Sequence, residues 1–190
     1  MRPFVKLSAL ALGVAIAAPA FAQDTSQAGT DQFPIGQEQE VQVGQTYLVE
    51  KKGAWEIRCV KVEEGAEPCH IYQLLKNTDG DPVAEISIFH LPGGGAAIAG
   101  ATAITPLGTL LTAGVKLQIE DEKPKVYPFN WCEGVGCISR MGLTGLEIQK
   151  MKKGSVAEFT IVSIAAQDQP VTLKMDLNGF GDAFTAVLVK

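Results

Sequence analysis

From Tyr47 onward the sequence consists of short apolar segments interrupted by Gly, Pro, Asn or Asp roughly every 8 to 15 residues. In the segment 54–61, Trp55, Ile57 and Cys59 alternate with neighbours that are mostly polar. Successive side chains of a β-strand point to opposite faces, so this spacing predicts a half-buried strand. The pattern as a whole predicts a mainly β domain.

Two of the predicted strands form a hairpin. Residues 69–75 repeat the alternation of residues 54–61, and the turn-like sequence 63–66 lies between them. The two segments therefore predict an antiparallel hairpin that ends at the turn 77–80. β-branched and aromatic residues predict further strands, about eight in all. These strands are 83–91, 98–104, 115–120, 126–131, 156–164 and 171–177.

Only two segments have helical character. One is 144–153, which ends at Gly154. The other opens near Asn178, a residue type that caps helices, and has apolar residues at i, i+4 and i+7 on one face. The elements together predict an antiparallel β-sandwich or flattened barrel with one or two short helices. The apolar face of the second helix consists of Phe180, Phe184 and Val187.

The first 22 residues have the composition of a secretory signal peptide. Arg2 and Lys6 precede an apolar run at 7–18, and Ala20-Phe21-Ala22 places small residues where signal peptidase reads the chain. The run is too short to cross a bilayer, which takes about 20 helical residues, and no later segment is longer. We therefore expect an exported chain that begins at Gln23 and has no transmembrane segment.

The predicted organisation is a signal peptide at 1–22, a flexible leader at 23–44 and a β-rich domain at 45–190. The leader is polar and has too few large apolar residues to offset the entropy of ordering. Without the signal peptide the chain has 14 Lys and Arg against 21 Asp and Glu, a net charge of −7. Such a surface repels phosphate groups, so neither nucleic acid nor anionic lipid is an expected partner.

The four cysteines predict two structural disulfides. Cys59 and Cys69 stand on the two arms of the hairpin, and Cys132 and Cys137 flank a loop that contains glycine. Four cysteines allow three pairings, of which local closure of each pair is favoured, since export permits oxidation. Zinc sites usually have closely spaced cysteine pairs, and thioredoxin-type centres have two residues between their cysteines. Neither spacing is found here.

No motif for catalysis, a cofactor or a metal is recognisable, so none of these is expected. His70 and His90 lie on predicted strands without a neighbouring motif that supplies a nucleophile or an orienting partner. The run Gly93–Gly95 lacks the Lys and Ser or Thr of a phosphate-binding loop and is typical of a flexible turn. The acidic residues of turn-like segments are interpreted as solvated, although their spacing leaves a glycosidase pair open. They are Asp79, Asp81, Glu120, Asp121 and Glu122.

An ordered set of residues extends from about residue 45 to 188. It comprises 53–59, Cys69, Gln73, 106–108, Leu110-Leu111, Gly114-Val115, Pro128-Phe129, Cys132, Gly136-Cys137, Gly154, 177–180 and Ala183-Phe184. In this order the residues resemble the invasion-associated locus B family of exported proteins from Gram-negative bacteria. One departure is Ala54, where a polar turn residue such as Asp is expected.

The resemblance implies a β-rich protein that is periplasmic, associated with the outer membrane, or secreted. In some pathogens such proteins are linked to entry into host red cells. The resemblance brings no enzyme activity and no catalytic residue. The family's cysteines correspond to Cys59, Cys69, Cys132 and Cys137, and two of its aromatic residues, expected in the core, to Trp55 and Phe180.

The leading hypothesis is an exported, non-enzymatic binding module whose partner is an envelope or host protein. Its binding surface is expected in the loops 91–97 and 125–131 or at a strand edge. The alternative is a periplasmic carrier of a small hydrophobic ligand, held between the layers beside the small residues of 93–105. A third hypothesis, an exported hydrolase, depends on a catalytic role for His70 or His90.

Overall fold

The computed structural model describes residue 36 and residues 40–93 and 95–188. The predicted signal peptide, 1–22, and residues 23–35 and 37–39 of the predicted leader lie outside the described residues. No helix within the described ranges is long and apolar enough to span a membrane.

Eleven strands, two α-helices and one short 3-10 helix form the described structure. The strands are β1 (Thr46–Lys52), β2 (Trp55–Val60), β3 (Cys69–Lys76), β4 (Pro82–His90), β5 (Ala97–Thr105), β6 (Val115–Ile119), β7 (Lys125–Tyr127), β8 (Trp131–Glu133), β9 (Gly136–Thr144), β10 (Val156–Ser163) and β11 (Ala166–Asp176). The helices are α1 (Gly145–Lys153) and α2 (Phe180–Ala186), and the 3-10 helix is Leu111–Ala113.

The strands pair antiparallel in two open sheets. The larger sheet has the order β1-β2-β3-β4-β5-β9-β8, and the smaller has the order β11-β10-β6-β7. One face of the larger sheet packs against the smaller sheet through β11, and against the two helices, with α1 on β5 and β9 and α2 on β1 to β3. The apolar side chains of this face join those of the second layer in one core, which confirms the predicted β-sandwich. Neither sheet closes on itself in the described part of the chain, so the flattened barrel is not formed.

The predicted hairpin is confirmed as β2 and β3, with Cys59 directly opposite Cys69. The strand count of about eight is wrong, because β1 and β9 are additional strands and 126–131 is divided between β7 and β8. A bulge between Leu48 and Glu50 interrupts the alternation of β1. β9 begins at Gly136, although glycine is typical of turns. Glycine is needed there because a Cβ would collide with the backbone of β5.

Asn178 does not cap α2, contrary to the prediction. The N-cap is Gly179, at φ 80°, and it makes no side-chain cap hydrogen bond. The carbonyl of Asn178 instead accepts a hydrogen bond from the Ala54 N–H at 3.0 Å. This contact brings the turn before α2 against the turn between β1 and β2. Glycine is required at 179, because an added Cβ would overlap the carbonyl group of Lys52.

Several residues of the ordered set meet where the layers join. Trp55 Nε1 donates to the carbonyl of Asp176 at 2.9 Å. The buried Gln73 donates to the same carbonyl at 2.7 Å and accepts from the Asp176 N–H at 2.9 Å. The Trp55 ring meets Phe180 edge to face, with centroids 5.3 Å apart. Ala54 takes part through its backbone, which accepts from Gln73 Nε2 at 3.3 Å, so this network uses no polar side chain at position 54.

Candidate functional site

Both cysteine pairs lie at disulfide distance. The Cα atoms of Cys59 and Cys69 are 4.1 Å apart, and those of Cys132 and Cys137 are 4.0 Å apart. The first pair closes the β2–β3 turn and the second closes the β8–β9 turn. These are the local pairs that the sequence favours, and each constrains a short loop of the unfolded chain, which stabilises the fold by about 2 to 3 kcal/mol.

A groove of about 640 Å³ opens beside the Cys59–Cys69 disulfide. We call it the histidine groove, because His70 and His90 both line it. Its walls come from the turn before β3, the end of β4 and the residues that follow α2. No group of three or more His, Cys, Asp or Glu in the described ranges is arranged to hold a metal ion. The apolar lining residues are Val60, Ala66, Pro68, Phe89, Pro92, Val187 and Leu188.

Strand pairing places the two histidines at the same end of the larger sheet but on opposite faces of it. β3 and β4 are antiparallel with Ile71 opposite Ile88, so His70 near the start of β3 and His90 at the end of β4 lie at the same end of the sheet. The His90 ring packs on Phe184 of α2, with centroids 4.2 Å apart. His90 Nε2 is buried and has no hydrogen-bond partner among the described residues. A buried polar atom without a partner is unfavourable, so this contact lowers the stability of the fold.

Both imidazoles are neutral near pH 7. Burial lowers the pKa of His70, and the nearby guanidinium of Arg58 lowers it further. Burial also lowers the pKa of His90, with a second contribution from the Lys152 ammonium. The groove therefore presents two uncharged imidazoles, each with a cation in its surroundings.

A row of paired residues, apolar except for Glu85, crosses the uncovered face of the larger sheet, the face opposite the core; Ile138 within it is only 3% exposed. Directly paired residues of neighbouring strands share a face, and here the pairs continue through β3, β4, β5, β9 and β8. Trp131 and Leu74 at the two ends are 45% and 42% exposed. We call this set the outer row; it consists of Leu74, Glu85, Ile104, Ile138 and Trp131. Val135 in the β8–β9 turn, 72% exposed, lines a cavity beside it.

Glu85 of the outer row and the polar residues next to the row already have partners. The Arg58 guanidinium lies 3.3 Å from the centroid of the Tyr72 ring and donates to Glu56 at 2.6 Å. The Tyr72 hydroxyl donates to Glu85 at 2.8 Å, and burial together with Glu85 raises the pKa of Tyr72 to about 12. These contacts fix the surface around the row, so its ends, Leu74 and Trp131, are the groups it offers to a partner.

Glu147, which is not among the predicted site residues, accepts more hydrogen bonds than any other acid described. It accepts hydrogen bonds from the N–H and hydroxyl of Thr144 at 2.9 and 2.6 Å, from the Tyr127 hydroxyl at 2.8 Å and from Lys125 Nζ at 2.8 Å. Burial raises its pKa, but the bonds from Lys125, Thr144 and Tyr127 outweigh burial and lower the pKa to about 2. The pattern Thr-x-x-Glu at 144–147 is the sequence signal of this capping box.

We expect Glu147→Gln to lower the free energy of unfolding by about 2 kcal/mol near pH 7, since it breaks the capping box and the ion pair with Lys125. The folded pKa, about 2, lies below the ordinary glutamate value of 4.5, so the ionised carboxylate contributes fully above pH 4.5 and loses this contribution as the pH falls towards 2. Urea unfolding of both proteins across this range should show the difference shrinking. Glu122→Gln is the control, because Glu122 is 53% exposed and its ion pair with Lys150 is at the surface. A constant difference at all pH values would contradict the assignment.

The two predicted binding loops contribute to different candidate surfaces. Segment 91–97 connects β4 to β5 and contributes Pro92 to the histidine groove, while Gly94 is outside the described residues. Segment 125–131 comprises β7 and the start of β8 and ends at Trp131 of the outer row. Between them, Thr144 stands opposite Ala97 and the first turn of α1 receives the bonds of β7. The structure therefore presents two separate surfaces.

The acids predicted to be solvated differ in what their carboxylates contact. The N–H groups of Asp79 and Asp81 donate to Asn77 Oδ1 at 3.0 and 2.8 Å. Glu120 accepts hydrogen bonds from the N–H groups of Ser155 and Val156, which lower its pKa. The Glu120 carboxylate therefore holds a turn, whereas Asp79 and Asp81 make these bonds through their backbone and are exposed, as predicted.

Comparison with known proteins identifies the relatives of this fold. A family model described as Invasion associated locus B (IalB) protein matches residues 55–188. The crystal structure of invasion associated protein b from Bartonella henselae is similar, with a TM-score of 0.63 and 22% identity over 75% of this chain and 95% of that chain. At this identity the likeness shows a shared fold alone. The comparison with curated proteins gave no match.

Proposed function

The chain belongs to the invasion associated locus B (IalB) protein family, and on that premise we propose that the mature protein is an exported, non-enzymatic interaction module of the bacterial cell envelope. Its partner is a protein of the envelope or, as the family's name suggests, of a host cell. The two disulfides support a location outside the cytoplasm, where thiols can oxidise.

The outer row is the observation that carries this proposal. It spans five adjacent strands, about 19 Å at the usual strand spacing. Trp131 is 45% exposed at one end of the row, and a large aromatic residue of this kind is over-represented among residues that dominate binding energy. Exposed apolar side chains such as Trp131 and Leu74 on the surface of a sheet are typical of a protein-protein contact.

The surroundings of the histidines support a role without catalysis. Neither His70 nor His90 is hydrogen-bonded to a carboxylate among the described residues. The residues that line the histidine groove include no serine, threonine or free thiol, since Cys69 is in a disulfide. A histidine acting as general base needs an orienting partner and a group to activate.

Disruption of the outer row tests the proposal. We expect the double variant Leu74→Asp/Trp131→Asp to weaken capture of the cross-linked envelope partner roughly thirtyfold, as for loss of a dominant contact of about 2 kcal/mol. The matched control is Leu146→Asp, since Leu146 is 62% exposed but lies on α1 in the other layer. Equal capture by the wild type and the double variant, with circular dichroism showing both folded, would contradict the proposal.

A second candidate function is a carrier of a small hydrophobic ligand. The space expected beside 93–105 is occupied, because Ala99, Ala101 and Ala103 are fully buried and α1 packs on β5. The α1 residues Ile148 and Met151 belong to the same core as these alanines. The histidine groove, with its apolar walls and two neutral imidazoles, is the observation that favours a carrier.

A further inference from the structure

We propose that a trench beside α1 binds a small amphipathic carboxylate, with the apolar end of the ligand against Leu146 and Pro124 and its carboxylate held by Lys150. We call this site the α1 trench; it consists of two adjoining cavities between α1 and the end of β6. The inference goes beyond the proposed function, because the trench shares no residue with the outer row or with the histidine groove.

Strand pairing and α1 bring the walls of the first cavity together. Leu117 of β6 is directly paired with Lys125 of β7, so the two side chains share a face of the smaller sheet. α1 lies over this face, because Lys125 Nζ contacts the Glu147 carboxylate of α1 at 2.8 Å. The cavity between them has a volume of about 280 Å³, and the nearly buried Leu117 and Ile119 form its floor.

One side of α1 lines both cavities. Leu146, Lys150 and Lys153 stand at i, i+4 and i+7, so they form one stripe of the helix. Leu146 lines the first cavity, Lys153 lines the second, of about 410 Å³, and Lys150 lines both. Small-molecule sites usually measure about 300 to 1,000 Å³, so the two cavities together have room for one small ligand.

The mouth of the first cavity suits an apolar group. Leu146 is 62% exposed, and Pro124, which lines the same cavity, is exposed as well. Both are therefore accessible from solvent, and below them lies the apolar floor of Leu117 and Ile119. A phenyl ring or a branched alkyl group placed here removes the surface of Leu146 from water, which is favourable.

The charges of the trench favour an anion, although the chain as a whole is acidic. Four lysines line the two cavities, and two of them, Lys123 and Lys153, form no ion pair with a residue of the described ranges. Two of the three lining acids are already bonded, Glu120 by backbone N–H groups and Glu147 by Lys125 and its other partners. The trench therefore has positive charge to spare, which attracts a carboxylate.

The third acid, Glu122, marks where the carboxylate of the ligand binds. It lines both cavities, and its own carboxylate contacts Lys150 Nζ at their boundary. The Glu122 side chain is 53% exposed, and ion pairs at the surface contribute little to stability, so an incoming carboxylate replaces it at low cost. Lys150 lies one helical turn, about 5.4 Å, from Leu146. This spacing separates the two ends of the ligand.

Four probes that differ in one group each test the ligand class. NMR titration of the purified mature chain should show saturable binding of 4-phenylbutanoate. 4-Phenylbutan-1-ol, which lacks the charge, and butanoate, which lacks the ring, should each bind at least tenfold more weakly. 4-Phenylbutylammonium should not bind, because the lysines repel it.

Variants at surface positions locate the carboxylate. Lys150→Gln should weaken the binding of 4-phenylbutanoate at least tenfold. Lys116→Gln is the matched control and should bind like the wild type, because it removes the same charge from an exposed residue on the opposite face of β6. Glu122→Gln should strengthen binding about threefold, since it removes the carboxylate that competes for Lys150.

Opposite variants separate the trench from the outer row. Leu146→Asp should weaken 4-phenylbutanoate at least tenfold and keep partner capture, whereas Leu74→Asp/Trp131→Asp should bind 4-phenylbutanoate like the wild type. The α1 trench would be overturned by absence of saturable binding, by equal binding of the acid and the alcohol, by equal losses in Lys150→Gln and Lys116→Gln, or by weaker binding in Glu122→Gln. Each of these results would leave the role of the outer row standing.

Discussion

Gly179→Ala should lower the free energy of unfolding by about 3 kcal/mol or more. Gly179 has a φ of 80°, and a Cβ there would lie 2.5 Å from the carbonyl carbon of Lys52. Gly53 faces it from the other turn, where a Cβ would lie 2.5 Å from the Asn178 carbonyl oxygen. Both obstacles are backbone atoms, so the two turns would have to move apart. Urea unfolding followed by tryptophan fluorescence measures the loss.

Gly181→Ala is the matched control for this substitution. Gly181 lies within α2, two residues from Gly179, and a Cβ there would have Lys152 Cγ as its nearest neighbour at 3.7 Å. Alanine is a better helix former than glycine by about 1 kcal/mol, so this variant should be as stable as the wild type or more so. If Gly179→Ala and Gly181→Ala unfolded at the same urea concentration, the close contact between the two turns would be refuted.

Trp55→Ala should lower the free energy of unfolding by about 3 to 5 kcal/mol, the usual loss when a fully buried aromatic residue is replaced by alanine. Trp55 is 0% exposed, packs on Phe180 and donates to the carbonyl of Asp176. Alanine would leave a cavity at the junction of the two layers. Far-UV circular dichroism during urea unfolding measures the change without relying on tryptophan emission.

The second tryptophan provides the control. Trp131 is 45% exposed on the uncovered face, so Trp131→Ala should change the free energy of unfolding by about 0.5 kcal/mol or less. Trp55→Phe should fall between the two alanine variants, because the Asp176 carbonyl keeps its hydrogen bond from Gln73 Nε2. A loss for Trp131→Ala as large as that for Trp55→Ala would mean that the two faces of the sheet are assigned the wrong way round.

Local pattern predicts the parts of the fold that depend on near neighbours. The alternation in 54–61 and 69–75 predicts the β2–β3 hairpin, and the Cys59–Cys69 pair follows from its register. The helix 144–153 is predicted from the same kind of local signal, and α1 spans Gly145–Lys153. β9 is not predicted from local pattern, because its partner β5 is distant in sequence. The two backbones approach so closely that β9 needs glycine at its first position, 136.

The candidate sites depend on long-range register, which a single sequence does not reveal. His70 and His90 line one groove only because β3 and β4 pair as they do. The outer row requires four strand pairings at once before Leu74 and Trp131 belong to one surface. Glu147 is different, since the Thr-x-x-Glu pattern that marks its role is present in the sequence itself.

Residues of the ordered set and candidate binding residues lie in different places. Trp55, Gln73, Gly179 and Phe180 join the two layers in the interior. The exposed ends of the outer row, Leu74 and Trp131, and the exposed part of the histidine groove, such as Leu188, lie on the surface, where the fold does not require their side chains. The proposed function therefore depends on the surfaces, while the ordered set maintains the sandwich that presents them.

Site-specific photo-crosslinking in living cells of the producing bacterium, with host cells present, tests the interaction role most directly. A benzophenone amino acid placed at position 131 of the outer row should give a discrete adduct with an envelope or host protein, whereas the same group at position 146 on α1 should give at most a trace of it. Adducts of equal yield at both positions, or no adduct at position 131 in a folded and exported protein, would contradict an interaction through this face of the sheet.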